Sequence, residues 1–128
     1  GQKDLLHLLE DIKTDFNPIC FIEEAHFVFG KGKGHSKFMA NFGKMEMGLV
    51  VSELRYQIIK AKLWKEEILR FTSKDKQAAI DYVSRKYPEA DLTPGKIRKP
   101  HDGITDAVCI AEYGYRITSK SVRRSRRR

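Results

Sequence analysis

Four consecutive apolar residues, Ile19-Cys20-Phe21-Ile22, stand between a helix-ending Asn17-Pro18 and a Glu23-Glu24 pair. So short an apolar run, bounded by turn and charged residues, predicts a buried strand. What surrounds it reads as helical. Leu5, Leu6, Leu8 and Leu9, continued by Ile12 and Phe16, place one apolar face on a helix beginning near residue 4. A longer helix is predicted over 38–55, with apolar residues at 38, 39, 42, 45, 49 and 50. A second strand follows over 56–61, then short helices over 64–69 and 74–87, the latter ended by Pro88. Strands separated by amphipathic helices define an α/β chain.

Chemistry concentrates where acids meet these elements. His101-Asp102-Gly103-Ile104-Thr105-Asp106-Ala107 opens a helix of small residues, and positions i and i+4 share a helix face. Asp102 and Asp106 therefore repel each other unless a positive charge lies nearby, for which a divalent cation is a natural candidate. The plainer reading makes Asp102 a helix cap and Asp106 a partner of the helix dipole. Glu23 and Glu24 supply a second acidic cluster at a strand end, where ligands gather in open α/β sheets. Convergence of the two clusters would make an oxygen-rich site suited to Mg²⁺.

The stretches Phe21-Ile22-Glu23-Glu24-Ala25-His26, Trp64-Lys65, Lys74-Asp75-Lys76 and His101-Asp102-Gly103…Asp106-Ala107…Ile110-Ala111-Glu112-Tyr113-Gly114 occur in an order that resembles the RuvC-type Holliday-junction resolvases. The likeness is to their phage-like branch, within the ribonuclease H-like superfamily, and spans roughly residues 4–115. It implies a ribonuclease H-like mixed sheet flanked by helices. It also implies a metal- and catalysis-bearing set of Glu23, Asp102 and Asp106, with Glu24 and His101 as outer partners. Two Mg²⁺ or Mn²⁺ ions per site, a homodimer and a branched-DNA substrate follow from the same likeness. The implied activity is metal-dependent, structure-selective endonucleolytic resolution of four-way DNA junctions in recombination or repair.

One element of that pattern has no counterpart. The resolvases begin with an Asp-bearing strand and two further strands, whereas this chain begins in a helix. Three explanations stay open: an incomplete resolvase, a relative that has lost nuclease activity, or first strands supplied by another chain. The alternative function is accordingly a non-catalytic, resolvase-like nucleic-acid-binding protein, with a ribonucleoprotein component as a weaker third reading. A chain of 128 residues, 41% hydrophobic, suffices for one core, although a sheet lacking its first strands exposes an edge.

The net charge of +8 is unevenly spread. Lys120, Arg123, Arg124, Arg126, Arg127 and Arg128 carry six positive charges with no acid among them, leaving only +2 for residues 1–119. The expectation is a resolvase-like domain over 1–116 and a disordered Arg-rich tail over 117–128, able to bind polyanions non-specifically. Gly30 to Lys37 reads as a basic loop placing Lys31, Lys33 and Lys37 beside Glu23 to hold phosphates. It lacks the residue order of a P-loop, so nucleotide binding by that route is not expected. Lys65 and the linker cations Lys96, Arg98 and Lys99 complete the expected nucleic-acid contacts. Trp64 is assigned to packing rather than base stacking. Cys20 and Cys109 lie among apolar neighbours and are expected to be buried free thiols. Without a CxxC pair, a disulfide framework or a membrane-length apolar run, an intracellular, reducing compartment is expected, with no membrane partner and no small-molecule cofactor.

Overall fold

The computed structural model describes residues 2–16, 18–25, 33–96 and 98–126; the side chains of residues 2, 3, 33, 35, 96 and 120–126 lie outside that description. Its elements are α1 (Gln2–Phe16), β1 (Ile19–Glu23), α2 (Lys33–Val51), β2 (Arg55–Ile59), α3 (Ala61–Ile68), α4 (Lys76–Lys86), a 3₁₀ turn (Pro94–Lys96) and α5 (Asp102–Arg126). The chain is mixed α/β, and β1 and β2 pair as a two-stranded parallel sheet. It divides into two compact units, residues 1–58 and 59–128.

In the first unit α1 packs on α2, with Leu5 and Leu9 in the core, whereas Leu8 and Phe16, read from sequence as part of the same face, are exposed. Leu9, Leu49 and Leu54 are buried together, with Leu5, Cys20, Ile22 and Tyr56 packed against them. Each such aliphatic side chain contributes about 2 kcal/mol when fully withdrawn from water. Gly48 permits the approach: a Cβ there would lie 3.0 Å from Leu9 Cδ1. The end of α2 is fixed by its backbone. Leu54 N–H donates to Leu49 O at 3.0 Å and Glu53 N–H to Val50 O at 3.1 Å, with Glu53 left-handed at φ 56°. This is a Schellman arrangement, and its apolar contact is the Leu49–Leu54 pair already in the core. Lys13 holds the exposed Glu53 carboxylate at 3.4 Å.

Two sequence expectations change here. β1 is half-buried rather than buried, and Ile19 is exposed. One pairing strand and the α1–α2 layer cannot cover both faces of so small a sheet. The helix expected from residue 38 starts at Lys33, so Lys33 to Lys37 are helical rather than part of an irregular loop. Lysine is a good helix former, and the exposed Gly34 is tolerated where it packs against nothing.

In the second unit α5 packs against both α3 and α4. Trp64, Ile68 and Leu69 are buried, as are Ala79 and Val83 of α4 and Cys109 and Ile110 of α5. Trp64 has no exposed surface, so its packing role holds. Asp75 caps α4 by accepting the Ala78 N–H at 2.8 Å. The helix α5 passes through the boundary that composition places at 116/117 and continues to Arg126, where a disordered extension was expected. Lysine and arginine propagate a helix once it is nucleated, and Ile117, Thr118 and Ser119 are half-buried. Among the described residues no helix is long and apolar enough to cross a membrane.

Candidate functional site

The mouth of α5 is built by His101. Its backbone N–H donates to Leu92 O at 2.7 Å, tying the entering chain to the preceding turn. Its Nδ1 accepts the Ile104 N–H at 3.3 Å, and its carbonyl accepts both the Thr105 N–H and the Thr105 hydroxyl at 3.1 Å. His101 thus satisfies amides that an Asp, Ser or Thr cap would ordinarily take. Asp102 is thereby released from capping, contrary to the plainer reading of the sequence.

Asp102 instead turns toward α4. Its carboxylate lies 2.9 Å from Lys76 Nζ, with the Asp102 side chain half exposed and the lysine largely so. The bond from Asp102 and its charge, reinforced by the charge of Asp106, raise the Lys76 ammonium above its ordinary value. The positive charge demanded by two aspartates one turn apart is therefore supplied, in this structure, by the first residue of α4. The Asp75 carboxyl beside it is held below its ordinary value by the Ala78 amide and then by the Ser73 hydroxyl.

Farther along α5 a buried carboxylate fixes the helix in place. Glu112 is 8% exposed. It accepts from Lys86 Nζ, from the Tyr87 hydroxyl at 2.5 Å and from Arg116 Nε at 3.3 Å. Arg116 continues to Glu67 of α3 at 3.5 Å and to the Tyr82 hydroxyl of α4 at 3.1 Å. Burial alone would push the Glu112 carboxyl up, but the bonds from Lys86, Tyr87 and Arg116 outweigh it and hold it below its ordinary value. The Lys86 ammonium is raised chiefly by the Glu112 bond. One carboxylate thus clamps α5 to α4, and through Arg116 to α3, fixing the direction in which Asp102 and Asp106 leave the helix.

The other expected site residues belong to both units. Glu23 is the last residue of β1 and Glu24 follows it, both half-buried in the first unit, whereas Asp102 and Asp106 belong to the second. Among the described residues no group of three or more His, Cys, Asp and Glu side chains is gathered to hold a metal ion. Lys37 is exposed on α2, Lys33 begins that helix, and Arg98 and Lys99 are exposed before α5. Lys96 ends the 3₁₀ turn, and Lys31 lies outside the described residues. Lys65 stacks on Trp64, its Nζ 5.5 Å from the ring centroid. No protein-family model matches the chain, and no curated protein matches it either.

Lys76 and Glu112 are the residues that a reading for acids at element ends leaves unassigned. Both belong to motifs quoted above, Lys74-Asp75-Lys76 and Glu112-Tyr113-Gly114. A carboxylate among the apolar residues of α5 was the one local signal that Glu112 must find cationic partners.

Proposed function

We propose that the chain is a metal-dependent, structure-selective endonuclease acting on four-way DNA junctions, as the ordered resemblance to RuvC-type resolvases implies. The observation that supports this best is Asp102 at the mouth of α5, relieved of capping by His101 and paired with a largely exposed lysine, with Asp106 one helical turn farther on. A merely structural pair would gain little from such an arrangement, because exposed ion pairs contribute only about 0–1 kcal/mol.

The donor set fits a hard divalent cation. Mg²⁺ binds through one or two carboxylates plus waters and substrate phosphate oxygens, so an exposed Asp102 and a half-buried Asp106 one turn apart would suffice without a closed protein cage. Asp102 and Asp106 would hold the ion, with Glu23 contributing as the resemblance implies, and Glu24 and His101 in supporting positions. When bound, the ion supplies Lewis acidity and a water acidified enough to attack a phosphodiester. Lys76, once Asp102 turns to the ion, is free to pair with a non-bridging phosphate oxygen. His101 keeps the first turn of α5 rigid, and Glu112 keeps the whole helix in register. A two-fold substrate suits a homodimer making paired nicks. The expected backbone contacts of Lys31, Lys33, Lys37, Lys65, Lys96, Arg98 and Lys99 would read phosphate position rather than base sequence.

The test is cleavage of an end-labelled four-way junction, with linear duplex as control, in Mg²⁺ and in EDTA. Paired, Mg²⁺-dependent nicks that vanish in Asp102→Asn while junction binding persists are expected. Cleavage unchanged in Asp102→Asn would remove that residue from its assigned role. Tight junction binding by the native chain without any cutting would instead favour the non-catalytic binding protein.

A further inference from the structure

The segment joining α3 to α4 holds a phenylalanine out in water. Phe71 is 96% exposed, the highest value among the large apolar side chains described. Its backbone is left-handed at φ 67°, and Lys74 three residues later is left-handed at φ 58°. Neither position is a glycine, and an unconstrained chain would relax both. The segment is held nonetheless. Thr72 N–H donates to Leu69 O at 3.1 Å, the Thr72 hydroxyl donates to the same oxygen at 2.6 Å, and Lys74 N–H donates to Thr72 Oγ1 at 3.1 Å. One end is anchored by Leu69, 1% exposed, and the other by the Asp75 cap of α4. Backbone strain sustained by a network that keeps an aromatic ring in solvent points to a use for the ring.

The neighbours say what would meet it. Arg70 stands over the Phe71 ring, its Cζ 5.9 Å from the centroid. Arg70 also lines a groove of about 420 Å³ with Ser73, Gln77, Asp81 and Arg85. Gln77 Nε2 donates to Asp81 at 2.9 Å and the Ala78 N–H to Asp75 at 2.8 Å, so both acids of the groove are hydrogen-bonded and offer remaining acceptor positions to a base edge, while their charge is balanced by the two arginines. No ion pair engages Arg70 or Arg85 among the described residues. A protein partner anchored on Phe71 would want an apolar surround, whereas the ring's close neighbour is the Arg70 guanidinium and the groove that Arg70 lines mixes guanidinium, amide, hydroxyl and carboxylate groups with Ile68, Leu69 and Ala78. A nucleobase has the matching anatomy: a flat face for the ring, donors and acceptors at its edge for the groove, and a phosphate alongside for a guanidinium.

We propose that Phe71 and Arg70 form a stacking platform for one unpaired base of a nucleic acid, its edge turned toward the groove that Arg70 lines with Arg85. The inference deepens the nuclease reading by naming the feature of a branched substrate that this second unit recognises, an unstacked nucleotide rather than a paired arm. It rests on that reading only for the identity of the substrate, since stacking requires neither the aspartates nor a metal.

The experiment is titration of the full chain, in EDTA, into a short single strand carrying 2-aminopurine and into the same sequence as a paired duplex. The native protein should quench the 2-aminopurine. Phe71→Ala should weaken single-strand binding about 5- to 150-fold, the range for loss of one base–aromatic stack, with duplex binding unchanged. Phe71→Trp should restore it. Because the ring is fully in solvent, truncating it removes no packing, and an unchanged circular dichroism spectrum confirms an intact fold. Absence of quenching by the native protein overturns the proposal. So does Phe71→Ala binding as the native chain does, which would assign the ring to a protein contact, or weakening equally on both DNAs. Junction cleavage assayed separately in Mg²⁺ reports on the nuclease reading alone.

Discussion

Replacing Glu112 by Gln tests whether α5 is clamped as described. The change keeps the size of the side chain and an acceptor for the Tyr87 hydroxyl, and removes the charge that Lys86 and Arg116 share. A hydrogen bond to a charged group contributes about 1.5–3 kcal/mol when well sheltered. The Lys86 and Arg116 side chains are 42% and 33% exposed, so water replaces part of each lost partner. Discounting for that screening leaves about 1 kcal/mol per cation, or about 2 kcal/mol together. With a urea slope near 2 kcal/mol/M, the midpoint should fall by about 1 M. Trp64, the only tryptophan and fully buried in the same unit, reports the transition by fluorescence. The pH dependence has a fixed sign. Glu112 is held below its ordinary value near 4.5, so its contribution is complete above that value and is lost as pH falls through the lower folded one. The native protein and the variant should therefore differ by about 2 kcal/mol at pH 7 and converge in acid. A difference below about 0.5 kcal/mol at pH 7, or one that persists undiminished at pH 3, would refute the clamp.

Gly43 and Gly48 lie five residues apart on α2 and should respond oppositely to alanine. Nothing lies within 4 Å of a Cβ at Gly43, so Gly43→Ala should stabilise the helix by about 0.5–1 kcal/mol, whereas Gly48→Ala must push the buried Leu9 Cδ1 aside against its core neighbours and should cost about 1 kcal/mol net, both read from urea melts by circular dichroism. Cys109 is fully buried with its thiol pushed up to about 11, chiefly by burial, so about one thiol in a thousand is ionised at pH 8. Peptide mapping after iodoacetamide should find half-buried Cys20 labelled first and Cys109 only after denaturation; early labelling of Cys109 would refute its burial.

The helices were the most legible part of the chain because they are written in a repeating pattern. Leu5 and Leu9 of α1 announce the face that enters the core, and Asn17-Pro18 and Pro88 stand just past the ends of α1 and α4, where a proline disfavours continuation. Ends decided by backbone bonding were less legible. Nothing local marks Glu53 as the left-handed residue that closes α2, because the motif is paid for by Leu49 and Leu54 meeting in the core. The start of α2 at Lys33 and the passage of α5 through residue 117 were missed for a related reason. Polar, glycine-containing or basic stretches have no periodicity to read, and a neighbouring helix can extend through them.

At the candidate site, spacing alone placed Asp102 and Asp106 on one helix face and favoured a positive charge near them, since like charges four residues apart on a helix repel by about 0.2–0.5 kcal/mol. Which charge meets Asp102 was a tertiary matter: Lys76 precedes it by twenty-six residues and arrives only because α4 packs on α5. The same packing brings Lys86, Tyr87 and Arg116 around Glu112. His101 becomes the cap because the turn from Leu92 delivers its ring to the Ile104 amide. Sequence determined the elements and the faces they present, because those follow from periodicity and local sterics. Tertiary structure decided the partners of each charge, because an ion pair depends on which residues distant in the chain are brought within a few ångströms.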